Sequence, residues 1–246
     1  MQAMPAPLAH PAFAPYRRWL STGTLPDLAQ LNAWAVASRL SLPDGRQLRF
    51  ADAAPGGALA YEVAVAHDGV VQIRPGDWHD AFNALVWLAF PLTKAALNAR
   101  HVHEGASATP NARSRGRDAA TLLDESGLLL ACRDPGLLRL LRERAWRELF
   151  DAHHDAVARA MRPFAIGHGM LVKMRAPFRA ITARTLILPL DPEASSTRVD
   201  EAAALAIGAG ELRPEMLSPL PVAALPGWDR EGLGPRLFDD EAVFRR

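Results

Sequence analysis

Seven side chains between residues 78 and 103 have the types and spacing to line a reacting pocket. In WHDAFNALVWLAFPLTKAALNARHVH they are His79, Asn83, Trp87, Phe90, Lys94, Asn98 and His101, separated by 4, 4, 3, 4, 4 and 3 residues. At ~100° per residue of α-helix they share a sector roughly 100° wide, with Asp80 at its edge. The opposite side carries Leu85, Leu88, Ala89, Leu92 and Ala96, an ordinary core face. His79 or His101 would serve as general acid or base near pH 7. Lys94 would hold an anionic group, and Asp80, Asn83 and Asn98 would bind and orient the ligand. This assortment suits hydrolysis or transfer on a small anionic molecule. Without a ligand, the same stripe is a polar network that fixes helix packing.

Two later residues join the candidates. His168 lies between Gly167 and Gly169 in an apolar stretch, where the glycines permit close backbone approach, and it is a third acid/base candidate. Arg117 follows a polar loop that also carries Arg113 and Arg115, and guanidinium forks suit anions. Asp124 and Glu125 read as residues of a hairpin turn, although adjacent carboxylates also suit a divalent cation. His153, His154 and Asp155, and further on Asp239, Asp240 and Glu241, read as solvated charge. His79 and Asp80 diverge as helix neighbours, so no metal-ligand set is assigned and the cofactor stays unknown. GxSxG, HExxH, GxGxxG and P-loop patterns are absent.

The elements that must position these groups read as α+β. Residues 1–25, with four prolines after Met4, form an extended arm. Residues 26–246 form a single domain of several helices packed with short β-hairpins, and its Pro-rich tail wraps from about residue 210. A helix begins at Pro26. Tyr61 to Ala66 and Val70 to Arg74 are strands joined at Asp68-Gly69, a hairpin signal. Pro91 either kinks the striped helix or opens a second one. ATLLDESGLLLAC reads as strand, turn, strand, and one long helix runs from Asp134 to about Arg162. Ile181 to Leu190 is a strand and Val199 to Ile207 a helix.

Composition sets outer bounds. The chain has 246 residues, 49% hydrophobic and 22% charged, which is ample for a full core. A net charge of +1 makes nucleic acid a poor partner. The single cysteine, Cys132, excludes a disulfide framework and a thiolate zinc cage. No apolar run approaches membrane-spanning length, and the N-terminus lacks the pattern of a secretion signal, so the expected home is the cytoplasm. Beyond a small anionic ligand, the other expected partner is a second copy of the chain. In that reading Trp19 and Trp228 act as anchors of an interaction surface.

Several stretches also have a familiar look: WHDAFNALVWLAFPLTKAALNARH, RDAATLLDESG, GHGMLVK, PLPVAALPGW and FDDEAVFR. The chain resembles the bacterial family catalogued as domain of unknown function 3025, over blocks running from about residue 60 to the C-terminus. The resemblance implies a single-domain bacterial protein and carries no activity or site residue. It would place a histidine where this chain has Arg184, so that position is not counted among the candidates.

Overall fold

Phe13 and Tyr16 are fully buried, so the N-terminal stretch is part of the core and not an extended arm. The structure, a computed structural model, describes residues 8–20, 23–107, 114–209, 212–228, 238–239 and 244. Arg113, Asp240, Glu241 and Pro235 lie outside these, as do residues 1–7. Pro11–Tyr16 winds into a 3-10 helix whose Phe13 stacks on Phe82 with centroids 5.4 Å apart. The Tyr16 hydroxyl donates to the Ala165 carbonyl at 2.6 Å. Three aromatics in the first twenty residues carry more apolar area than an exposed arm leaves in water. His10 and Trp228 meet edge-on at 5.3 Å, joining the two ends of the described chain.

Helix α1 (Leu28–Ser38) starts at Asp27, not Pro26, because Asp27 and Gln30 cap each other reciprocally. Strand β1 (Arg49–Asp52) leads to α2 (Ala58–Asp68), then β2 (Val70–Ile73), which pairs with β1 in parallel. Tyr61 to Ala66 is therefore helical, and the expected hairpin is a strand–helix–strand unit. Gly69 explains the misreading. Its φ of +65° serves a left-handed helix cap as well as it would serve a hairpin turn. A Cβ there would also stand 2.4 Å from the Gln47 carbonyl.

The striped segment is two helices, α3 (Trp78–Ala89) and α4 (Pro91–Ser107), separated at Phe90. Pro91 opens α4, where its missing N–H costs nothing. The next two amides, of Leu92 and Thr93, donate at 3.0 and 2.7 Å to the carboxylate of buried Asp200. A tertiary contact thus caps α4.

Helix α5 (Arg115–Ser126) and strand β3 (Gly127–Ala131) replace the second expected hairpin. Ser114 caps α5 by accepting from the Arg117 amide. The long helix is also broken. Helix α6 (Pro135–Glu143) ends at Arg144 in left-handed conformation, a π-type turn follows at Glu148–Ala152, and α7 (His154–Ala160) comes after it. Trp146 and Phe150 turn inward across this break and stack. The rest is β4 (Arg162–Ala165), α8 (His168–Lys173), β5 (Thr182–Leu188), α9 (Ser196–Gly208) and β6 (Ser218–Pro221).

The larger sheet runs β4-β3-β5-β6, with β3 and β5 parallel and the outer pairs antiparallel. Every residue of β3 is buried, which accounts for its unbroken GLLLA. The fold is α+β, but no two strands consecutive in sequence form a hairpin among the described residues. Trp19 and Trp228, proposed as partner anchors, are 7% and 5% exposed and pack within this chain. Among the described residues no helix is long and apolar enough to cross a membrane.

Candidate functional site

The end of α5 and the start of α8 are pressed together by glycines. A Cβ on Gly167 would lie 2.3 Å from the Gly127 nitrogen, and one on Gly169 would lie 2.3 Å from Glu125 Oε2. The Gly167 amide donates to the Gly127 carbonyl at 2.9 Å. This approach sets buried His168 against Asp124 and Glu125, which occupy the last turn of a helix and not a hairpin turn.

Around that contact lies a cavity of about 480 Å³, a size suited to a small ligand. Its walls come from residues 53–58, α2, β2, α3, α4, α5 and α8. Six of the ten residues singled out from sequence line it: His79, Asp80, Asn83, His101, Arg117 and His168, whereas Trp87 and Phe90 are buried in the core. Tyr61, Glu62, Arg74, Thr121, Asp124 and Glu125 line it too. A larger groove of about 1070 Å³ runs between α4 and α9, but its walls are mostly alanine, leucine and valine.

Lys94 and Asn98 do not face the cavity. Lys94 donates to Asp124 at 2.5 Å in a pair whose side chains are 4% and 15% exposed. Its charge is already neutralised, so it cannot hold a ligand anion as the sequence suggested. It steadies Asp124 instead. Asn98 donates to the Glu62 carbonyl at 2.9 Å and its carboxylate at 2.6 Å, pinning α4 to α2. Asn83 donates to the Tyr61 hydroxyl at 2.8 Å, while its own carbonyl oxygen is buried without a partner. Asp80 is gripped by Arg74 through two guanidinium nitrogens at 2.8 Å each.

Three titratable side chains cluster in the cavity wall. His79 Nε2 stands 3.4 Å from one oxygen of Glu125, and His168 Nε2 stands 3.5 Å from the other. The two imidazoles meet edge-on with centroids 4.3 Å apart. Ligand atoms of His79, Glu125 and His168 all lie within 4.8 Å of one another, a grouping able to hold a metal ion. On the far side of each ring is a second carboxylate. His79 Nδ1 is 3.4 Å from Asp80, and His168 Nδ1 is 3.7 Å from Asp124.

The local charges set the protonation states. Burial disfavours the His168 imidazolium, but the Asp124 carboxylate and contacts with Glu125 prevail and lift it to about 9. His79 is raised by its hydrogen bond with Glu125. Hydrogen bonding to these two rings holds Glu125 well below the usual carboxylate range. Burial would raise Asp124, yet Lys94 and His168 hold it far below that range. Burial lowers His101, favouring the neutral ring. Burial and the nearby Asp124 charge push Glu62 up to about 7.

A family profile described as "Protein of unknown function (DUF3025)" matches residues 48–246. The chain belongs to this family. The DUF3025 match contains every residue that lines the cavity and leaves outside it the N-terminal 3-10 helix and α1. No curated protein and no solved structure matches the chain.

Of the residues that line the cavity, the sequence singled out His79, Asp80, Asn83, His101, Arg117 and His168, but Glu125 read as a turn residue and Glu62 and Tyr61 carried no signal. The signal for Glu125 was present: its spacing of four from Thr121 and of seven from Asp118 fits a helix as well as a turn. Arg115, read from sequence as part of a loop, opens α5 and pairs with Glu215 at the surface. His153, His154 and Asp155 are exposed, as expected.

Proposed function

We propose that this DUF3025 protein is an enzyme acting on a small anionic ligand, by hydrolysis or group transfer, in the cavity between α2, α3, α5 and α8. The observation that carries this reading is convergence. Histidines from three separate helices, α3, α4 and α8, line one cavity together with Arg117. Among the described residues the Arg117 guanidinium makes no ion pair, whereas Arg74 and Lys94 are neutralised by Asp80 and Asp124. Arg117 is thus the cation available to an incoming carboxylate or phosphate.

His101 supplies a neutral imidazole in the same wall, suited to taking a proton from water or a ligand hydroxyl. In hydrolysis, the water oxygen bonds to the electrophilic carbon or phosphorus and the bond to the leaving group breaks. The proton that water gives to His101 then returns to the leaving group. The His79–Glu125–His168 cluster lines the same cavity.

A thermal-shift screen of small phosphates and carboxylates against the full chain tests the reading. A ligand should raise the melting temperature of the wild type, and Arg117→Gln should remove that shift while melting within a few degrees of wild type. A ligand shift untouched by Arg117→Gln and His101→Asn would contradict it.

A further inference from the structure

We infer that His79, Glu125 and His168 form a binding site for one divalent transition-metal ion in the wall of the cavity. The inference rests on the cavity being the reacting site, and it names what that site holds.

The two imidazole–carboxylate separations, 3.4 and 3.5 Å, are longer than a good hydrogen bond. Ligand atoms ~2.1 Å from a shared ion in tetrahedral geometry stand ~3.4 Å from one another. Since every pair of ligand atoms already lies within 4.8 Å, a modest closing of the three side chains would bring them around one ion.

Both rings turn Nε2 toward the same carboxylate and Nδ1 toward a different one. Each outer carboxylate is itself fixed by a cation, Asp80 by Arg74 and Asp124 by Lys94. Metal-bound histidines are oriented in this way: an outer carboxylate holds the Nδ1 proton and leaves Nε2 free to ligate. The buried His168 Nδ1 has no hydrogen-bond partner, and a small approach to Asp124 would satisfy it.

The side chains of His79 and Glu125 are 38% and 45% exposed, and both line the cavity. Three protein ligands with an open side match a catalytic site and not a closed structural one. Two imidazoles and one carboxylate suit zinc, iron(II) and similar ions, while magnesium and calcium prefer all-oxygen sets. A bound ion of this kind would lower the pKa of a coordinated water and so supply the nucleophile for hydrolysis.

The test is calorimetric titration of Zn²⁺ into the chelator-stripped full chain. One equivalent should bind, with magnesium failing to compete. His79→Ala and Glu125→Gln change half-exposed side chains and should fold, by circular dichroism, yet weaken zinc at least 100-fold. Asp80→Asn, which alters only an outer carboxylate, should weaken it roughly 10- to 100-fold. Cobalt substitution should give visible absorption bands that are lost in Glu125→Gln. Absence of zinc binding by the folded wild type would overturn the inference, as would binding unchanged in both His79→Ala and Glu125→Gln. If zinc fails to bind while anionic-ligand shifts still require Arg117, the metal site is overturned and the cavity reading stands.

Discussion

Lys94 and Asp124 form a buried ion pair at 2.5 Å, and Asp124 is in turn the carboxylate facing His168 Nδ1. A buried ion pair between α4 and α5 thereby stands behind a ring on α8. Lys94 also lies 5.5 Å from the Trp87 ring centroid, so its stem and charge are enclosed on several sides.

Removing one partner of such a pair leaves the other charged and unsolvated. Lys94→Met should therefore cost about 3–5 kcal/mol, measured by urea unfolding. The double variant Lys94→Met with Asp124→Leu should recover a good part of that loss while still failing to bind ligand. A single-variant cost below about 1 kcal/mol would mean that the pair is as weak as a surface contact.

Glu62 gives a pH signature. In the unfolded chain its carboxyl loses its proton near 4.5, whereas in the fold the proton is kept up to about 7. Between these values the native state binds more protons than the unfolded one, so the contribution of this group falls as pH rises from about 4.5 to about 7. Glu62→Gln keeps an acceptor for Asn98 and has nothing to titrate. In chelator-treated protein, the stability of Glu62→Gln relative to wild type should improve by of order 3 kcal/mol between pH 4 and pH 8. A difference that stays flat across that range would contradict the burial of a charged Glu62.

Gly167 and Gly169 flank the same histidine and should behave differently. A methyl on Gly167 meets the backbone of Ser126 and Gly127, which cannot yield cheaply. Gly167→Ala should cost about 1–3 kcal/mol or more in stability. A methyl on Gly169 first meets the end of the Glu125 side chain, which can swing away. Gly169→Ala should keep stability within about 1 kcal/mol, since alanine favours the helix, but weaken zinc binding through the displaced Glu125. Equal stability losses in the two variants, with zinc affinity unchanged in Gly169→Ala, would contradict this division.

Much of the site was legible in the sequence because helical spacing survives the break at Pro91. His79 and Asn83 keep their interval on α3, and Lys94, Asn98 and His101 keep theirs on α4. Spacing alone could not tell which polar groups face a cavity and which face each other. That depends on partners far along the chain, Glu62 for Asn98 and Asp124 for Lys94. The main errors of fold were both hairpins. Asp68-Gly69 reads alike as a hairpin turn and as a helix end, because both need a residue at positive φ. Thr121 to Ser126 lost its helical identity to the adjacent GLLLA strand, and with it went the role of Glu125.

Anomalous diffraction from crystals of the full chain soaked in Zn²⁺ and inorganic phosphate tests the central claim most directly. The account predicts one zinc peak ~2.0–2.2 Å from His79 Nε2, His168 Nε2 and a Glu125 oxygen. It also predicts phosphate in the same cavity, within hydrogen-bond reach of Arg117. Zinc and phosphate bound elsewhere, with this cavity holding only water, would contradict it.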